Sequence, residues 1–291
     1  MKIIYLIPLF TNSFQVYSFE NCIISVELLT VIRMKFNFES RFSIFDIKRG
    51  LKLPKKPSEE LAEFLGIMYG DGYSGFVKSK NDYMISICGH SINDIEYHSK
   101  FVKKLFKNLF GITPKLIKRK GQKTIYTLFR SKGLYYFLLN MGFSSPKENL
   151  IIPEWVKNQK KFSFAFLRGF VDTDFSFNPK KVNEKRYLRI TTAIKDRVLA
   201  EEIVKIFEKY GFSLYHKFDV KKWDKRGFTT TTNYIQMGGG NNVKKFLVLI
   251  GFHNPKHISR YNLWKMGQER FELSTIRDKG FHPPSPRSSA V

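Results

Sequence analysis

The sequence predicts an α+β fold of two pseudo-symmetric halves, each running αββαββα, and three features of the chain carry that prediction. An apolar stretch ending in an acid occurs twice, as Leu61-Ala-Glu-Phe-Leu-Gly-Ile-Met-Tyr-Gly-Asp71-Gly72 and as Phe164-Ala-Phe-Leu-Arg-Gly-Phe-Val-Asp-Thr-Asp174-Phe175. Each copy is followed by the same order of strand, strand, helix, strand, strand and helix. Both copies then close on Gly-Phe-x-x-Pro-Lys, at Gly142–Lys147 and Gly251–Lys256. These closures fall 71 residues after Asp71 (142 − 71) and 77 after Asp174 (251 − 174). A repeat of about 100 residues is too long for a solenoid unit and reads as a duplicated half-domain.

Residues 1–57 carry apolar patches without a steady period and end in the basic linker Lys48–Pro57. They form either an adapter or an over-extended start, with Met34 as the alternative initiator. The first ten residues resemble a short secretory core, but Pro8 interrupts the run and no small-residue cleavage site follows. The first half spans 58–150. Pro57-Ser58 starts its opening helix, with Ser58 as N-cap and Glu59 and Glu60 in the first turn. Tyr73–Val77 and Tyr83–Cys88 read as a hairpin. A helix from Asp94 to Phe110 has Ile95, Phe101, Val102, Leu105, Phe106 and Leu109 on one face and stops at Gly111. Strands Lys115–Lys120 and Lys123–Phe129 flank Gly121-Gln122, and a short helix Gly133–Met141 ends at Gly142.

The second half spans 151–266. Phe175–Phe177 and Tyr187–Thr192 pair around a basic loop with Lys180, Lys181, Lys185 and Arg186. Asp196–Tyr210 is a helix stopped by Gly211. Leu214–Val220 and Thr229–Met237 make a hairpin, and Val243–Ile250 is a helix stopped by Gly251. The tail, 267–291, has Pro283, Pro284 and Pro286 and no periodic apolar face, so it is expected to be disordered or loosely packed.

Within the repeated helices, Gly66 and Gly70 lie at i and i+4, echoed by Gly169 and Thr173. Interior glycine costs about 1 kcal/mol relative to alanine, so the strip needs a packing reason: it lets another backbone approach closely. Asp71 and Asp174 sit at helix C-termini, where the dipole is already negative. If the two strips pack together, the carboxylates meet. At ~6 Å and an effective dielectric of ~20 their repulsion is about 2.8 kcal/mol. Cations relieve such a penalty, which points to a paired-carboxylate site for a divalent metal at a helix seam. Either stretch alone would pass for an ordinary core helix with a solvated terminal acid; the repeat of everything downstream argues otherwise.

Lys and Arg outnumber Asp and Glu by 50 to 25, a net charge of +25. That excess calls for a polyanion, and nucleic acid is the default candidate. Hydrophobic content of 43% with 16% aromatic residues excludes a disordered basic tail. Two cysteines, Cys22 and Cys88, cannot build a disulfide framework or a thiolate zinc site. No apolar run is long enough to span a bilayer. The expectation is a protein inside the cell, in the cytoplasm or an organelle, with no membrane partner.

On these residues the chain resembles a two-motif LAGLIDADG homing endonuclease, Phe64–Gly72 and Leu167–Phe175 standing in the nine-residue motif. The resemblance covers roughly 58–266 and includes both closures. It implies motif helices at the interface between halves, antiparallel sheets forming a DNA-binding saddle, a monomer on double-stranded DNA, and Mg²⁺ or Mn²⁺ as cofactor. It assigns catalytic and metal-binding roles to Asp71 and Asp174, with the carbonyls of Gly70 and Thr173 toward the metal. Lys147 and Lys256 match the lysine that follows the last helix of each half and would stabilise transition-state charge. His90 and Thr192 are the nearest matches to a polar residue at the end of the second strand. Tyr69 and Phe175 depart from the motif, where an acid and a glycine are usual.

The implied reaction is metal-dependent hydrolysis of both strands of a long asymmetric target, in the setting of intron homing. Strand alternation makes Lys78, Lys80, Lys118, Lys120, Arg130, Arg189, Lys217 and Lys221 candidates for DNA contact. The alternatives are a maturase on intron RNA, which needs the basic saddle but not the acids, and a non-cleaving DNA-binding protein. Intein splicing is disfavoured because Pro255 follows His253-Asn254. A histidine–metal nuclease is disfavoured because His253 and His257 share one proline loop.

Overall fold

The computed structural model describes residues 41–182, 185–223 and 227–266. The predicted extension up to residue 40, the tail from 267, and the side chains of Lys180, Lys181, Lys185 and Arg186 lie outside the described residues. The first half comprises α1 (Ile44–Lys48), α2 (Glu59–Asp71), β1 (Gly72–Val77), β2 (Asp82–His90), α3 (Lys103–Phe110), β3 (Lys115–Lys118), β4 (Thr124–Arg130) and α4 (Lys132–Asn140). The second comprises α5 (Glu154–Asn158), α6 (Lys160–Asp174), β5 (Ser176–Val182), β6 (Lys185–Ile194), α7 (Arg197–Lys209), β7 (Tyr215–Trp223), β8 (Thr229–Gly238), α8 (Gly240–Leu249) and a last helix, α9, over 255–266.

Local chemistry sets the helix ends where the sequence marks them. The Ser58 hydroxyl accepts the Leu61 N–H at 3.1 Å and starts α2. Asp196 caps α7 through Leu199 N–H at 3.1 Å. Gly111, Gly142, Gly211 and Gly251 follow their helices with φ between 68° and 83°, a left-handed stop that a side chain resists. A π-helical turn, Tyr97–Val102, leads into α3 and was not signalled by the apolar period.

The two sheets share one antiparallel order, β1-β2-β4-β3 and β5-β6-β8-β7. Helices cover one face of each and bury Ile85, Ile87, Ile125 and Phe129 in the first half and Leu188, Ile190, Ile235 and Met237 in the second. Phe64 fills the first core against Phe106 and Phe110, with ring centroids 5.6 and 5.0 Å away. Phe175, in place of the usual glycine, keeps an extended backbone like that of Gly72 and packs its ring on Phe170 at 5.9 Å.

Helices α2 and α6 cross as the small-residue strips require. A Cβ on Gly66 would overlap the Phe166 carbonyl oxygen, and one on Gly169 would overlap that of Glu63. Each pair of counterparts (Glu63 and Phe166, Gly66 and Gly169, Asp71 and Asp174) is separated by the same 103 positions. Reciprocal contacts at one fixed offset define a local two-fold axis through the seam.

The segments joining the elements cross that axis. Leu150 N–H donates to Asp196 at 2.7 Å, and Asn254 Nδ2 donates to Asp94 at 3.0 Å, so each closing loop is held by the other half. Residues 41–57 line the first half and do not stand apart as an extension or linker. The buried Asp46 carboxylate accepts Gly133 N–H at 3.1 Å, and Lys52 N–H donates to Phe110 O at 3.0 Å. Among the described residues no helix is long and apolar enough to cross a membrane.

Candidate active site at the helix seam

Asp71 and Asp174 are the last residues of α2 and α6, and the glycine seam brings them together. A Cβ on Gly70 would lie 3.5 Å from the Cβ of Asp174. Burial, and after it the negative charge of Asp174, pushes the Asp71 carboxyl up to about 7, against the pull of Lys147 and Lys256. Burial also raises Asp174, opposed by a hydrogen bond from Thr192 and by Lys147. Two adjacent carboxyls that resist joint ionisation form an oxygen-only site short of positive charge. That donor set fits a hard divalent cation such as Mg²⁺ or Mn²⁺.

The two closing lysines act on this centre in different ways, Lys147 by contact and Lys256 through its charge. Lys147 Nζ donates to Tyr69 O at 3.1 Å and, more closely, to Gly70 O, so an ammonium occupies the Gly70 carbonyl that the resemblance assigns to a metal. Burial lowers the Lys147 ammonium, and Asp71 and Asp174 offset the effect. Lys256 pairs with Asp94 at 2.9 Å, yet its charge still acts on Asp71. Thr173 bends its hydroxyl back to Gly169 O and Phe170 O, both at 3.0 Å.

The polar residue beside each acid is unequal in the two halves. Thr192 Oγ1 donates to Asp174 Oδ2 at 2.8 Å and to Asp174 O at 2.9 Å. His90 is not its counterpart. Tyr73 pairs with Ser86 and Ser176 with Thr191, so the register sets Ile87 opposite Thr192 across the two-fold axis. His90 instead ends β2, where its Nδ1 accepts Ile92 and Asn93 N–H at 3.3 Å.

The open faces of the sheets gather some of the predicted basic residues and turn others away. Residues paired across antiparallel strands share a face. Arg130 pairs with Met84 and Lys217 with Tyr234, away from the helices, and Arg189 lies on the same open side. Lys118 pairs with Ile125, which faces the helices, so its strand neighbours Lys115 and Ile117 take the open side. Arg119, which sequence reasoning missed, sets its guanidinium 4.8 Å from the Tyr126 ring. Lys221 is also displaced. A bulge between Lys217 and Val220, with Asp219 at φ 54°, reverses the alternation, so Lys222 and not Lys221 shares the face of Tyr234. Asn233 fixes that bulge by accepting Asp219 N–H at 3.0 Å. Lys78 and Lys80 lie in the exposed β1–β2 turn and Lys120 in the β3–β4 turn.

A second cluster joins the two seam helices to the second closing loop, where Glu63, Asp172 and His253 bring ligand-type atoms within 4.8 Å of one another. Its ligand atoms are already engaged. Glu63 pairs with Arg168 at 2.9 Å and meets His253 Nδ1 at 2.5 Å, while Asp172 accepts the N–H groups of His253 and Asn254. This arrangement ties the second closing loop to both motif helices through hydrogen bonds and an ion pair.

Residues 161–251 match the family model of the LAGLIDADG-like domain. An uncharacterized protein of Methanocaldococcus jannaschii is 27% identical over 175 residues, covering 58% of this chain and 62% of that protein. The replication factor C small subunit of the same organism is 24% identical over 204 residues, 70% of this chain but 10% of the relative. The chain thus spans less than two thirds of either relative. Among solved structures, I-DmoI in complex with DNA and Ca aligns at 21% identity over 70% of this chain and 97% of its own, with a TM-score of 0.48. Full-length DUF199/WhiA from Thermatoga maritima aligns at 15% identity over 75% and 67%, with a TM-score of 0.45.

Proposed function

With a LAGLIDADG-like domain as its second half and the same strand order repeated in its first, we propose that the chain is a site-specific DNA endonuclease. It makes a metal-dependent double-strand break at a long asymmetric target, in the manner of intron homing. The observation that carries this reading is the meeting of Asp71 and Asp174 at the seam, with Lys147 on the Gly70 carbonyl beside them and the charge of Lys256 acting on Asp71 from its pair with Asp94. Both halves are in one chain, so a monomer suffices. The protein works wherever its DNA is, in the cytoplasm or an organelle.

Asp71, Asp174 and the Thr173 carbonyl would hold Mg²⁺ or Mn²⁺, which when bound supplies Lewis-acid stabilisation to the scissile phosphodiester. The protein's own residues supply the rest. Lys147 and Lys256 add fixed positive charge where the phosphate gains negative charge in the transition state. Thr192 holds one oxygen of Asp174 and so fixes which lone pairs face the seam. The open sheet faces carry Lys115, Arg119, Arg130, Arg189, Lys217 and Lys222 to the duplex, with Lys78, Lys80 and Lys120 in flanking turns. Because the halves differ at nearly every one of these positions, the two half-sites differ in sequence.

The test begins with duplexes selected from a randomised library in Ca²⁺. The wild-type chain is expected to bind them and, on a change to Mg²⁺, to cut both strands. Asp71→Asn and Asp174→Asn should bind as well and lose cutting by at least about 100-fold. Full Mg²⁺-dependent cutting by both variants would remove the assignment. Tight binding without cutting by the wild type would leave a DNA-binding protein on this scaffold, and a preference for intron RNA would leave a maturase.

A further inference from the structure

Each motif helix carries, two residues before its terminal acid, a buried polar side chain that grips the segment bearing the closing lysine of its own half, a segment that for the first half runs on to Ile151 at the junction with the second. In α2 this residue is Tyr69, 1% exposed. Its hydroxyl donates to Ile151 O at 2.8 Å and lies within 3.5 Å of Met141 O, so it touches both ends of the segment that carries Lys147. Its ring packs on Phe143, 5.6 Å between centroids, and Lys147 Nζ lies over that same Phe143 ring. Lys147 then folds back onto the backbone carbonyls of Tyr69 and Gly70.

In α6 the counterpart, 103 positions on, is Asp172, fully buried. It uses the opposite polarity. Oδ2 accepts His253 N–H at 2.9 Å and Oδ1 accepts Asn254 N–H at 3.1 Å, while Asp172 O accepts Asn254 Nδ2 at 3.1 Å. The Asn254 side chain then accepts Lys256 N–H at 3.2 Å and donates to Asp94, the partner of the Lys256 ammonium. A donor gripping carbonyls in one half and an acceptor gripping N–H groups in the other thus do the same work at equivalent places.

Resting on the endonuclease reading, we propose that Tyr69 and Asp172 are positioning residues, each setting the closing loop and lysine of its own half independently, so that each controls hydrolysis of one DNA strand. A buried hydrogen bond of this kind stabilises by roughly 1 kcal/mol, enough to shift local opening of a loop about fivefold without unfolding the chain. Tyr69→Phe removes only the hydroxyl, and Asp172→Asn keeps the shape and one acceptor oxygen.

Two measurements on the full-length chain decide the matter. In hydrogen exchange without DNA, Tyr69→Phe should raise exchange of 142–152 about fivefold and leave 252–257 unchanged, and Asp172→Asn should do the reverse. On a selected duplex in Mg²⁺, each variant should slow one strand by about fivefold or more and accumulate nicked product, with the two variants sparing opposite strands. Affinity in Ca²⁺ should stay within about twofold of wild type. Equal slowing of both strands, or exchange spread over both loops, would overturn the inference. Loss of protection without a strand bias would reduce the pair to a structural role. If the wild type cuts no duplex, the endonuclease reading fails, and the exchange pattern still decides whether each residue holds its own loop.

Discussion

The first and second halves share a backbone and diverge in chemistry. Both order their sheets alike, end a motif helix on an aspartate and close on a lysine loop. Yet Thr192 hydrogen-bonds Asp174 where Ile87 stands near Asp71, Lys147 rests on backbone carbonyls where Lys256 pairs with Asp94, and Tyr69 replaces Asp172. The difference teaches that the two-fold axis is kept by what touches backbone, the glycines of the seam. Side chains around the acids are free to differ so long as the helices stay close. Two unequal halves then surround the paired acids with unequal side chains and present unequal open sheet faces.

The seam itself is the place to break the comparison. Gly66→Ala and Gly169→Ala each force a Cβ into a carbonyl oxygen of the opposite helix. Each should destabilise by about 3 kcal/mol, which in a chain of this size lowers Tm by roughly 6–12 °C. Calorimetric melting should give similar losses for the two variants. A loss at one glycine alone would show that the axis is not shared.

The acids give the next effect, with a definite sign. Asp71 carries a folded pKa of about 7 against an ordinary 3.8, so between those values the folded state holds a proton that the unfolded chain releases. Stability of the metal-free chain should therefore fall as pH rises through that window. Burial raises Asp174 and Asp172 as well, so Asp71→Asn should lessen this fall without abolishing it, as read from urea midpoints in EDTA at pH 5 and 7.5. Added Mg²⁺ at ~100-fold its Kd should restore roughly 2.7 kcal/mol at pH 7.5 and much less at pH 5, where the carboxyl is protonated.

Smaller changes sharpen the contrast between the sites. Thr192→Val removes the only side-chain hydroxyl that the described residues give to Asp174 and should weaken Mn²⁺ binding by about 1 kcal/mol in calorimetric titration. Ile87→Thr should leave Asp174 untouched. The smallest expected effect concerns the bulge in β7. Lys222→Ala should lower the slope of log binding constant against log salt by about 0.9, and Lys221→Ala by less, because only Lys222 shares the open face. Anisotropy at several salt concentrations measures both.

Much of this was legible in the sequence because the signals are local. Ser58 and Asp196 cap helices by reaching three residues ahead, glycines stop them, and the 103-residue echo needs no structure to find. The misplaced strand residues share one cause, the loss of register. Nothing local marks the extra residue at Asp219 that reverses the face of Lys221, and a polar strand end drew attention to His90 when the pairing puts Ile87 beside the acid. Lys118 failed for the same reason, since only pairing with Ile125 shows which way it faces. The crossing of each closing loop to Asp94 or Asp196 of the other half joins residues far apart in the chain and leaves no periodic trace.

The most direct test of the central claim is calorimetric titration of Mn²⁺ into the chain bound to a selected duplex, compared with the double variant Asp71→Asn, Asp174→Asn. Saturable Mn²⁺ binding by the wild type that disappears in the double variant is the predicted result. Equal Mn²⁺ uptake by both would contradict the account, because the seam would then have brought two acids together for no ion.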